Sequence, residues 1–457
     1  MKYEEIVQDI KIKILKGNWK VGEKLPSLRQ LAQKYKTSRN TVVYSFRILK
    51  EEGYIFPISA VGYFVNKRKD SQINKQVKII LKNYYDAENK NSDIINFTSI
   101  APFKRYLNNN FVSFLLDKQK LIHIEKETTI SLISDLLEKE EIFIPESDIF
   151  ITSSSQLTIE MIIRLLSNKN KLTIAISDPS HYSVINILDK LSKIKGIHLL
   201  EDGWDFKDFE NILSSEKIDL VYVNPNYQDP SGICWSEEKK QYLLELSEKF
   251  DFYIIEEDNY SSLFFDKKLT SFKCLDRIGK ERIFYIKDYS KLLGSLIGLT
   301  YVAVPDKFKE KFLMEKIVFS IENSKLQENI AYTFLQSEYF NFFLNKIRMD
   351  LKNKLNFLVK ELKAVPELKI MNIPKGGFFI WLKLNRQIDE DLFYELCKNE
   401  GVLILPGYIF YKDERNNSKF RLSFATSSFL EIKNGIKKIK EVISFLKTVE
   451  KGENNEV

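Results

Sequence analysis

Five short apolar segments between residues 148 and 288 constrain the fold of this 457-residue chain more than any other feature. Each segment is rich in β-branched and aromatic residues and ends in polar or turn-forming residues, and helical patterns fill most of the intervals. The segments read DIFITSS, KLTIAIS, DLVYVNP, FYIIEED and RIFYIKD. Because strands that alternate with helices form a largely parallel sheet, the pattern predicts an α/β domain with ligands at the carboxyl ends of its strands.

Charge is divided unevenly along the chain. Residues 1–70 hold 15 Lys and Arg against 7 Asp and Glu, whereas the rest of the chain holds 55 basic and 56 acidic residues. The excess that gives the chain its net charge of +7 therefore lies in the first seventy residues. A small basic module joined to a nearly neutral larger one predicts a polyanionic partner for the first and a separate role for the second.

Composition excludes several classes of protein. The three cysteines, Cys234, Cys274 and Cys397, lie far apart without a C-x-x-C pair, and the chain has only three histidines. These counts argue against a disulfide framework and against a metal site. The N-terminus MKYEEIVQDI is too polar for a signal peptide, and no run of about 18 apolar residues exists. We therefore expect a cytoplasmic protein that has no metal site and does not enter a membrane.

The first seventy residues follow the order helix, helix, turn, helix, hairpin. A first helix is expected to end at Gly17, and Ser27 and Ser38 stand at the N-cap positions of two more. Two short strands, residues 54–56 and 63–65, follow. This order predicts a winged helix-turn-helix, whose second motif helix enters the major groove. The candidate DNA-binding residues, suited to phosphates, base edges or the wing, are Arg29, Ser38, Arg39, Asn40, Thr41, Tyr44, Arg47 and Gly62.

Two motifs in this region, L-P-S-L-R-Q-L-A and S-R-N-T-V, resemble those of the GntR-type DNA-binding domain, and the resemblance covers residues 3–65. It implies double-stranded DNA as a partner. The alternative, that Arg29 and Arg39 only solvate a helix face, explains the charge but not the ordered motifs. The wing departs from the family, because Ala60, Val61 and Gly62 replace the usual Gly-x-Gly.

Residues suited to ligand chemistry fall where the apolar segments end. Lys291 follows the strand that is expected to end at Ile286, where a lysine is placed for Schiff-base chemistry with a carbonyl cofactor. Residues 256–258, Glu-Glu-Asp, follow another strand and offer a carboxylate to a pyridinium nitrogen. Residues 228–232, Gln-Asp-Pro-Ser-Gly, follow a third.

Two further features are suited to anions. Three residues open a helix directly after a strand and offer backbone N–H groups to a phosphate: Ser154, Ser155 and Gln156. Arg421, in the late segment FRLSFA, is suited to bidentate binding of a carboxylate.

This order of motifs resembles the fold-type-I aminotransferases, which use pyridoxal 5′-phosphate. Joined to a GntR-type module, it is similar to the MocR family of bacterial transcriptional regulators, from about residue 3 to residue 447. The resemblance implies an α/β fold with an N-terminal winged helix-turn-helix. It also implies a large PLP-dependent-transferase domain with a mainly parallel sheet and a small C-terminal α+β subdomain. We expect the DNA-binding domain over residues 1–69, a linker over 70–95 and the aminotransferase-like domain over 96–450.

The resemblance also implies roles for single residues. Those implied to hold the cofactor form three neighbouring pairs: Ser290 with Lys291, Glu257 with Asp258, and His181 with Tyr182. Lys291 is the catalytic residue and carries the cofactor as an internal aldimine. Glu257 pairs with the pyridine nitrogen, with Asp258 adjacent, and His181 or Tyr182 stacks on the ring. Arg421 binds the carboxylate of the incoming amino acid, and the family forms homodimers.

Departures from the family pattern cluster around the cofactor phosphate. The family usually has an arginine seven residues after the lysine and a serine three residues before it, where this chain has Gly298 and Asp288. The S-G-S-Q loop has lost its glycine in residues 153–156, and His123 replaces a tyrosine of the partner subunit. Lys287 is the cation expected to compensate. An aspartate gained beside a dianion weakens phosphate binding.

The resemblance implies a transcriptional regulator that binds an operator and senses an amino acid or amine through aldimine chemistry. Two alternatives stay open: an active PLP-dependent aminotransferase with an appended DNA-binding domain, and a cofactor-free, degenerate sensor domain. Retention of Lys291 and Arg421 favours a sensor that keeps the cofactor, whereas the changed phosphate positions favour the cofactor-free one. We expect little or no turnover, because transamination requires the cofactor ring to be held firmly.

Overall fold

The fold is described from a computed structural model of the full chain. The structure describes residues 2–15, 17–58, 61–66, 80–86, 94–100, 126–167, 171–276, 281–293, 299–319, 324–413 and 417–453. Most of the predicted linker, and the positions of His123 and Gly298, lie outside these ranges.

The N-terminal region has the predicted winged helix-turn-helix order. Its elements are α1 (Lys2–Leu15), α2 (Leu28–Lys34), α3 (Arg39–Glu51), β1 (Ile55–Ile58) and β2 (Gly62–Val65). The strands pair antiparallel with Ile55 opposite Val65. Both predicted caps are present, since the Ser27 and Ser38 hydroxyls accept hydrogen bonds from the backbone N–H groups of Gln30 and Thr41 at 3.3 and 3.2 Å. Buried side chains from all three helices, including Ile10, Leu31 and Phe46, form its core.

A buried lysine joins the N-terminal region to the rest of the chain. Lys11 of α1 is only 2% exposed, and its Nζ lies 2.5 Å from a carboxylate oxygen of Glu52 in the same region. The same Nζ lies 3.8 Å from a carboxylate oxygen of Glu395, which belongs to the large domain and is fully buried. One cation is therefore shared between two carboxylates on opposite sides of the domain contact.

Among the described residues, eight strands form the central sheet of the large domain. In spatial order they are β4 (Ile149–Thr152), β11 (Thr300–Ala303), β10 (Ile283–Asp288), β9 (Tyr253–Glu257), β8 (Leu220–Val223), β5 (Thr173–Asp178), β6 (Lys193–Leu200) and β7 (Gly203–Trp204). The run from β10 to β6 is parallel, whereas β11 and β7 are antiparallel to their neighbours. The five apolar segments are thus strands β4, β5, β8, β9 and β10, as predicted.

Both faces of this sheet are covered, which is why its strands are continuously apolar. Successive residues of a strand face opposite sides of a sheet. Accordingly Val221 and Ile254 pack into one hydrophobic cluster, and their neighbours Leu220 and Ile255 pack into another. The helices of this part of the chain are α4 (Lys126–Glu138), α5 (Ser155–Leu166), α6 (Tyr182–Leu191), α7 (Phe206–Ser215), α8 (Glu237–Phe250), α9 (Ser290–Leu293), α10 (Lys309–Val318), α11 (Lys325–Leu335) and α12 (Glu338–Lys363).

The C-terminal part is an α+β subdomain, as the resemblance implied. Over the described residues its antiparallel sheet has the order β12 (Leu368–Asn372), β13 (Phe379–Leu384), β16 (Lys419–Ser423), β15 (Leu405–Pro406). Helices α13 (Glu390–Asn399) and α14 (Phe429–Glu453) accompany it, and β3 (Ile95–Asn96) pairs with β14 (Val402–Leu403). Short 3-10 helices span Glu146–Asp148, Ser261–Leu263, Lys273–Leu275, Asp306–Phe308 and Gly407–Phe410. Within the described ranges, no helix has the length and apolar character needed to cross a membrane.

The strand that leads to Lys291 is longer than the sequence predicted. β10 ends at Asp288 instead of Ile286, because Lys287 and Asp288 continue the antiparallel ladder opposite Tyr301 and Thr300 of β11. Partner pairing, which the local sequence does not report, therefore sets the end of this strand. The extension brings Asp288 to the same sheet edge as the start of α5.

Candidate ligand-binding site and DNA-binding surface

Strand ends bring Lys291 into a small cavity at the carboxyl edge of the sheet. The space in which the centre of a water molecule can lie is about 10 Å³. The residues that line it are Gln156, Ser180, His181, Tyr222, Asn224, Asp229, Glu257, Asn259, Tyr260 and Lys291. A wider cleft of about 920 Å³ lies against Glu141, Tyr253 and Arg282, and its described lining includes none of the predicted site residues.

Glu257 is held in place by a polar network at one side of the cavity. The Tyr222 hydroxyl donates to one carboxylate oxygen, and the Asn259 side-chain amide donates to the other at 2.7 Å. Burial, followed by the nearby Glu257 carboxylate, raises the pKa of Tyr222 well above its ordinary value. Tyr222 therefore stays protonated and acts as a hydrogen-bond donor. A fixed carboxylate in this position is suited to a cationic nitrogen on a ligand.

Asp258, the neighbour of Glu257, does not line the cavity. It lies just past the end of β9 and faces away from Glu257, as successive residues of an extended chain do. The Tyr285 hydroxyl donates to its carboxylate at 2.8 Å, and the Lys287 ammonium lies 3.9 Å away. Of the predicted pair, the structure brings only Glu257 to Lys291.

His181 lines the cavity, whereas Tyr182 begins α6 behind it. The two rings lie 4.5 Å apart, and Tyr182 contacts Phe410 in turn. His181 Nδ1 lies 2.6 Å from the Ser183 hydroxyl, and its Nε2 lies 3.5 Å from Asp229. Burial lowers the pKa of His181 despite the nearby Asp229 carboxylate, so the neutral ring is favoured.

The helix start predicted to bind a phosphate already faces a carboxylate. Ser154 caps α5, its hydroxyl accepting from the Leu157 N–H at 3.3 Å. The Ser155 N–H and hydroxyl both point to one oxygen of Asp288, at 3.5 and 3.1 Å. The Ser290 N–H and hydroxyl donate to the other oxygen, at 2.9 and 2.5 Å. Asp288 is only 1% exposed and thus occupies the groups that a phosphate would use.

Lys287 does not neutralise Asp288. As the preceding residue of the same strand it points to the opposite face, where its Nζ lies 2.9 Å from Glu140 and 3.1 Å from the Ser261 hydroxyl. The compensation expected from the sequence is therefore absent at Asp288 in the described structure, because strand alternation directs the two side chains apart.

Arg421 is buried and paired with a carboxylate of the chain itself. It lies on β16 and is fully buried, and its Nη1 lies 2.7 Å from each oxygen of Asp229. Its Nη2 donates to the Thr98 carbonyl at 3.2 Å, and its guanidinium lies 4.5 Å from the Phe379 ring and 5.3 Å from the Phe410 ring. Asp229 lines the cavity and Arg421 does not. The charged group that lines the cavity here is therefore the Asp229 carboxylate, whereas the sequence predicted the Arg421 guanidinium.

The sequence did not reveal which groups Asp229 and Asp288 would contact. Asp229 stands in the Gln-Asp-Pro-Ser-Gly segment after β8, and an acid at a strand end was the available signal. Its partner is 192 positions away, so no local pattern joins the two. The sequence showed Asp288 as a departure from the family pattern, but it did not show that Ser155 and Ser290 donate hydrogen bonds to it.

These contacts determine how far the residues fit pyridoxal 5′-phosphate. Lys291, Glu257 and His181 meet at one cavity and suit the ring end of the cofactor. The phosphate end does not fit, because Asp288 holds its donors and would repel a dianion in a buried setting. The residues that the structure describes therefore do not fit the phosphate of this cofactor. Among the described residues, no group of His, Cys, Asp and Glu side chains is arranged to hold a metal ion.

The predicted DNA-binding residues lie on one end of α3 and around it. The side chains exposed to solvent are Arg29, Ser38, Arg39, Asn40, Tyr44 and Arg47, whereas Thr41 is half-buried. The Thr41 hydroxyl lies 2.8 Å from that of Ser38, and Arg47 pairs with Glu51 at 3.0 Å. Gly62 has a φ of +141° beside Lys24, whose Cε would lie 3.1 Å from an added Cβ, so this wing position favours glycine.

Two parts of this chain match known protein families. Residues 122–439 match the family of class I and II aminotransferases. The chain belongs to this family. Residues 2–65 match the GntR family of bacterial regulatory proteins. The two matches confirm the predicted combination of a GntR helix-turn-helix domain with an aminotransferase-like domain.

Relatives with the same architecture are named as regulators. The HTH-type transcriptional regulator NorG of Staphylococcus aureus (strain USA300) is 26% identical over 451 residues, which cover 91% of this chain and 98% of the relative. An uncharacterised HTH-type transcriptional regulator of Bacillus subtilis (strain 168), YdfD, is 26% identical over 466 residues and 95% of each chain. The main predicted function, a transcriptional regulator of the GntR and MocR type, is thereby confirmed.

Solved structures show the same fold in the large domain. The kynurenine aminotransferase of Pyrococcus horikoshii aligns with a TM-score of 0.70 and 23% identity, covering 83% of this chain and 95% of that one. An archaeal alanine:glyoxylate aminotransferase aligns with a TM-score of 0.71 and 24% identity, covering 80% and 95%. This likeness confirms the α/β fold of the large domain. The class I and II aminotransferase family, which residues 122–439 match, is in general PLP-dependent.

Proposed function

We propose that this regulator binds double-stranded DNA as a homodimer and changes its DNA binding when a small amine occupies the Lys291 cavity. The observation that carries the proposal is that Lys291 and Glu257 line one cavity in a chain that also has a GntR-type domain with exposed arginines. A half-buried amine that shares a cavity with the Glu257 carboxylate suits ligand recognition, and the exposed basic helix start of α3 suits phosphates. The proposal includes a cytoplasmic location, where bacterial DNA lies.

The DNA-binding part rests on the side chains around α3. Arg29 and Arg39 are exposed, and so are Asn40 and Tyr44, which leaves their polar atoms open to a duplex. A dimer would present two such helices to two half-sites related by the symmetry of the particle. The domain boundaries at residues 69 and 95 and the individual DNA contacts remain part of this proposal.

The finer prediction, that Lys291 carries pyridoxal 5′-phosphate, rests on the ring end of the cavity alone. Lys291, Glu257 and His181 support it, and Asp288 opposes it. An absorption scan between about 330 and 420 nm tests it, because a cofactor bound through an imine absorbs there and a bare protein does not. A band that is present in the native chain and lost in Lys291→Ala would support cofactor binding.

Enzymatic turnover is the weaker candidate. Transamination needs a cofactor held at its phosphate and a cation for the substrate carboxylate. Asp288 takes the hydrogen-bond donors that would hold the phosphate, and Asp229 pairs with Arg421, the cation for the carboxylate. We expect no keto acid to accumulate when the purified chain is incubated with PLP and an amino-acid mixture.

Fluorescence anisotropy on the full chain tests the regulatory proposal. The probe is a labelled duplex selected for binding from a random library, titrated with and without a panel of small amines. We expect Arg29→Ala/Arg39→Ala to abolish binding and Lys291→Ala to keep basal binding but lose the amine response. Arg164→Ala, an exposed arginine paired with Glu160 on α5, is the matched control. Unchanged DNA affinity in the double variant would refute the proposal.

A further inference from the structure

We propose that Asp288 and Asp229 are built-in counter-anions that replace a cofactor phosphate and a ligand carboxylate. The Lys291 cavity would then take a small organic cation that carries neither group. This inference rests on the proposed function, because it names the class of ligand that the same cavity accepts. Asp288 and Asp229 are 1% and 3% exposed.

Asp288 accepts hydrogen bonds from the groups that would otherwise bind the cofactor phosphate. Both of its oxygens accept hydrogen bonds, one from Ser155 and the other from Ser290, and each serine contributes its N–H and its hydroxyl. The start of α5 adds the positive end of a helix dipole, which stabilises a carboxylate. With four donors committed, an incoming phosphate would have to displace Asp288 and then lie beside its charge.

Asp229 pairs with Arg421, the cation that would otherwise bind a ligand carboxylate. The Arg421 guanidinium is fully buried between two aromatic rings and donates to both oxygens of Asp229. A carboxylate on a ligand would have to break this pair, which leaves Asp229 buried without its cation. Removing one partner of a buried ion pair is strongly unfavourable. An amine ligand meets no such obstacle.

The charges that line the cavity give the same answer. Its charged lining consists of Asp229 and Glu257 against Lys291, whereas His181 is favoured in its neutral form and burial raises the pKa of Tyr222 and of Tyr260. Arg421 already neutralises Asp229, and Lys287 is paired with Glu140. Glu257 therefore remains for an incoming ammonium group, whereas an incoming anion finds neither the Arg421 guanidinium nor the Lys287 ammonium free. The space of about 10 Å³ favours the smallest amines.

Single substitutions that gain anion binding test the roles proposed for Asp229 and Asp288. The probes are ethylamine, acetate and inorganic phosphate, compared by thermal shift on the full-length chain at equal ionic strength. In the native protein we expect ethylamine to stabilise and the two anions to have no effect. Asp229→Asn, which releases Arg421, should gain acetate binding by about tenfold, and Asp288→Ser should gain phosphate binding by about tenfold.

Matched controls separate these gains from general loosening of the fold. Asp391 is another buried aspartate; the Tyr408 hydroxyl donates to it at 2.6 Å, and it lies outside the cavity. Asp391→Asn and Asp391→Ser should gain neither anion. The inference is overturned if the native protein prefers acetate to ethylamine, if no probe stabilises it, or if both site variants gain nothing. DNA anisotropy is measured on the same samples, so loss of the regulatory function itself would appear separately as a native chain that does not bind DNA.

Discussion

The two candidate binding sites of this molecule differ in whether their cations are already paired. In the N-terminal region Arg29 and Arg39 are exposed, and no carboxylate pairs with them within the part of the chain that the structure describes. In the large domain Arg421 and Lys287 are buried, and each is paired with a carboxylate of the chain itself. The first arrangement suits an anion that arrives from outside, and the second leaves no place for one.

Two serine-capped helix starts show the same contrast on a smaller scale. Ser38 begins α3 and Ser154 begins α5, and each hydroxyl accepts a hydrogen bond from a backbone N–H three residues later. The α3 start lies open to solvent, whereas Asp288 lies against the α5 start. The local sequence makes both into anion-binding ends. Only the facing residue determines whether the anion is external or internal.

The largest expected effect comes from breaking the buried pair. Arg421→Met should lower the free energy of unfolding by about 3–5 kcal/mol, because it leaves the Asp229 carboxylate buried without a cation. Urea denaturation measures the loss. Arg164→Met, at an exposed pair, is the control and should change stability by less than about 0.5 kcal/mol. A loss below about 1 kcal/mol for Arg421→Met would show that Asp229 is not confined by this pair.

Removing an exposed arginine should affect DNA binding and leave stability unchanged. Arg39→Ala should weaken operator binding by about 1–3 kcal/mol, or about 5- to 150-fold, while the free energy of unfolding stays within about 0.5 kcal/mol. Arg39→Lys distinguishes the two kinds of contact, because lysine replaces a phosphate contact better than a bidentate contact to guanine. Anisotropy titrations at several salt concentrations provide both readouts.

A carboxylate placed at the exposed start of α3 should oppose an external anion there, as Asp288 does at the start of α5. Ser38→Asp should keep the thermal midpoint of the native chain, because aspartate caps a helix as well as serine does. It should weaken DNA binding by about 1 kcal/mol, because its charge lies where a DNA phosphate would bind. Ser38→Asn, a neutral cap, is the control. Equal DNA affinity for the two variants would contradict the comparison.

The smallest effect is expected at the exposed pair on α3. Arg47 and Glu51 are 70% and 62% exposed, so Glu51→Gln should change stability by no more than about 0.5 kcal/mol. DNA affinity should rise by at most a few-fold, since Arg47 loses a competing carboxylate. A large change in either quantity would mean that this exposed surface is more constrained than its burial indicates.

The fold could be predicted because its signals are local. Continuous apolar runs identified five strands of the central sheet, and serine caps identified the starts of α2 and α3. The end of β10 was predicted two residues too early, because pairing with β11 extends the strand through Lys287 and Asp288. A ladder between strands is a tertiary property that a single segment does not encode.

The site could be predicted only in part, for a related reason. The rule that ligands bind at strand ends selected Lys291, Glu257 and His181, and the structure places all three around one cavity. It could not show that Asp258 turns away, nor that Asp229 and Asp288 satisfy the two anion-binding groups. Those facts depend on which side chains face each other across the fold. The roles of the individual residues in binding remain predictions.

Lys11 has a consequence for the modularity of this architecture. The GntR-type domain matches a family of its own, yet its helix α1 supplies a cation 3.8 Å from Glu395, which is fully buried in the large domain. A chimaera that carried a foreign DNA-binding domain without a lysine at that place would leave a carboxylate stranded at the junction. Exchanging the DNA-binding domain or the large domain between regulators therefore requires a lysine at the position of Lys11.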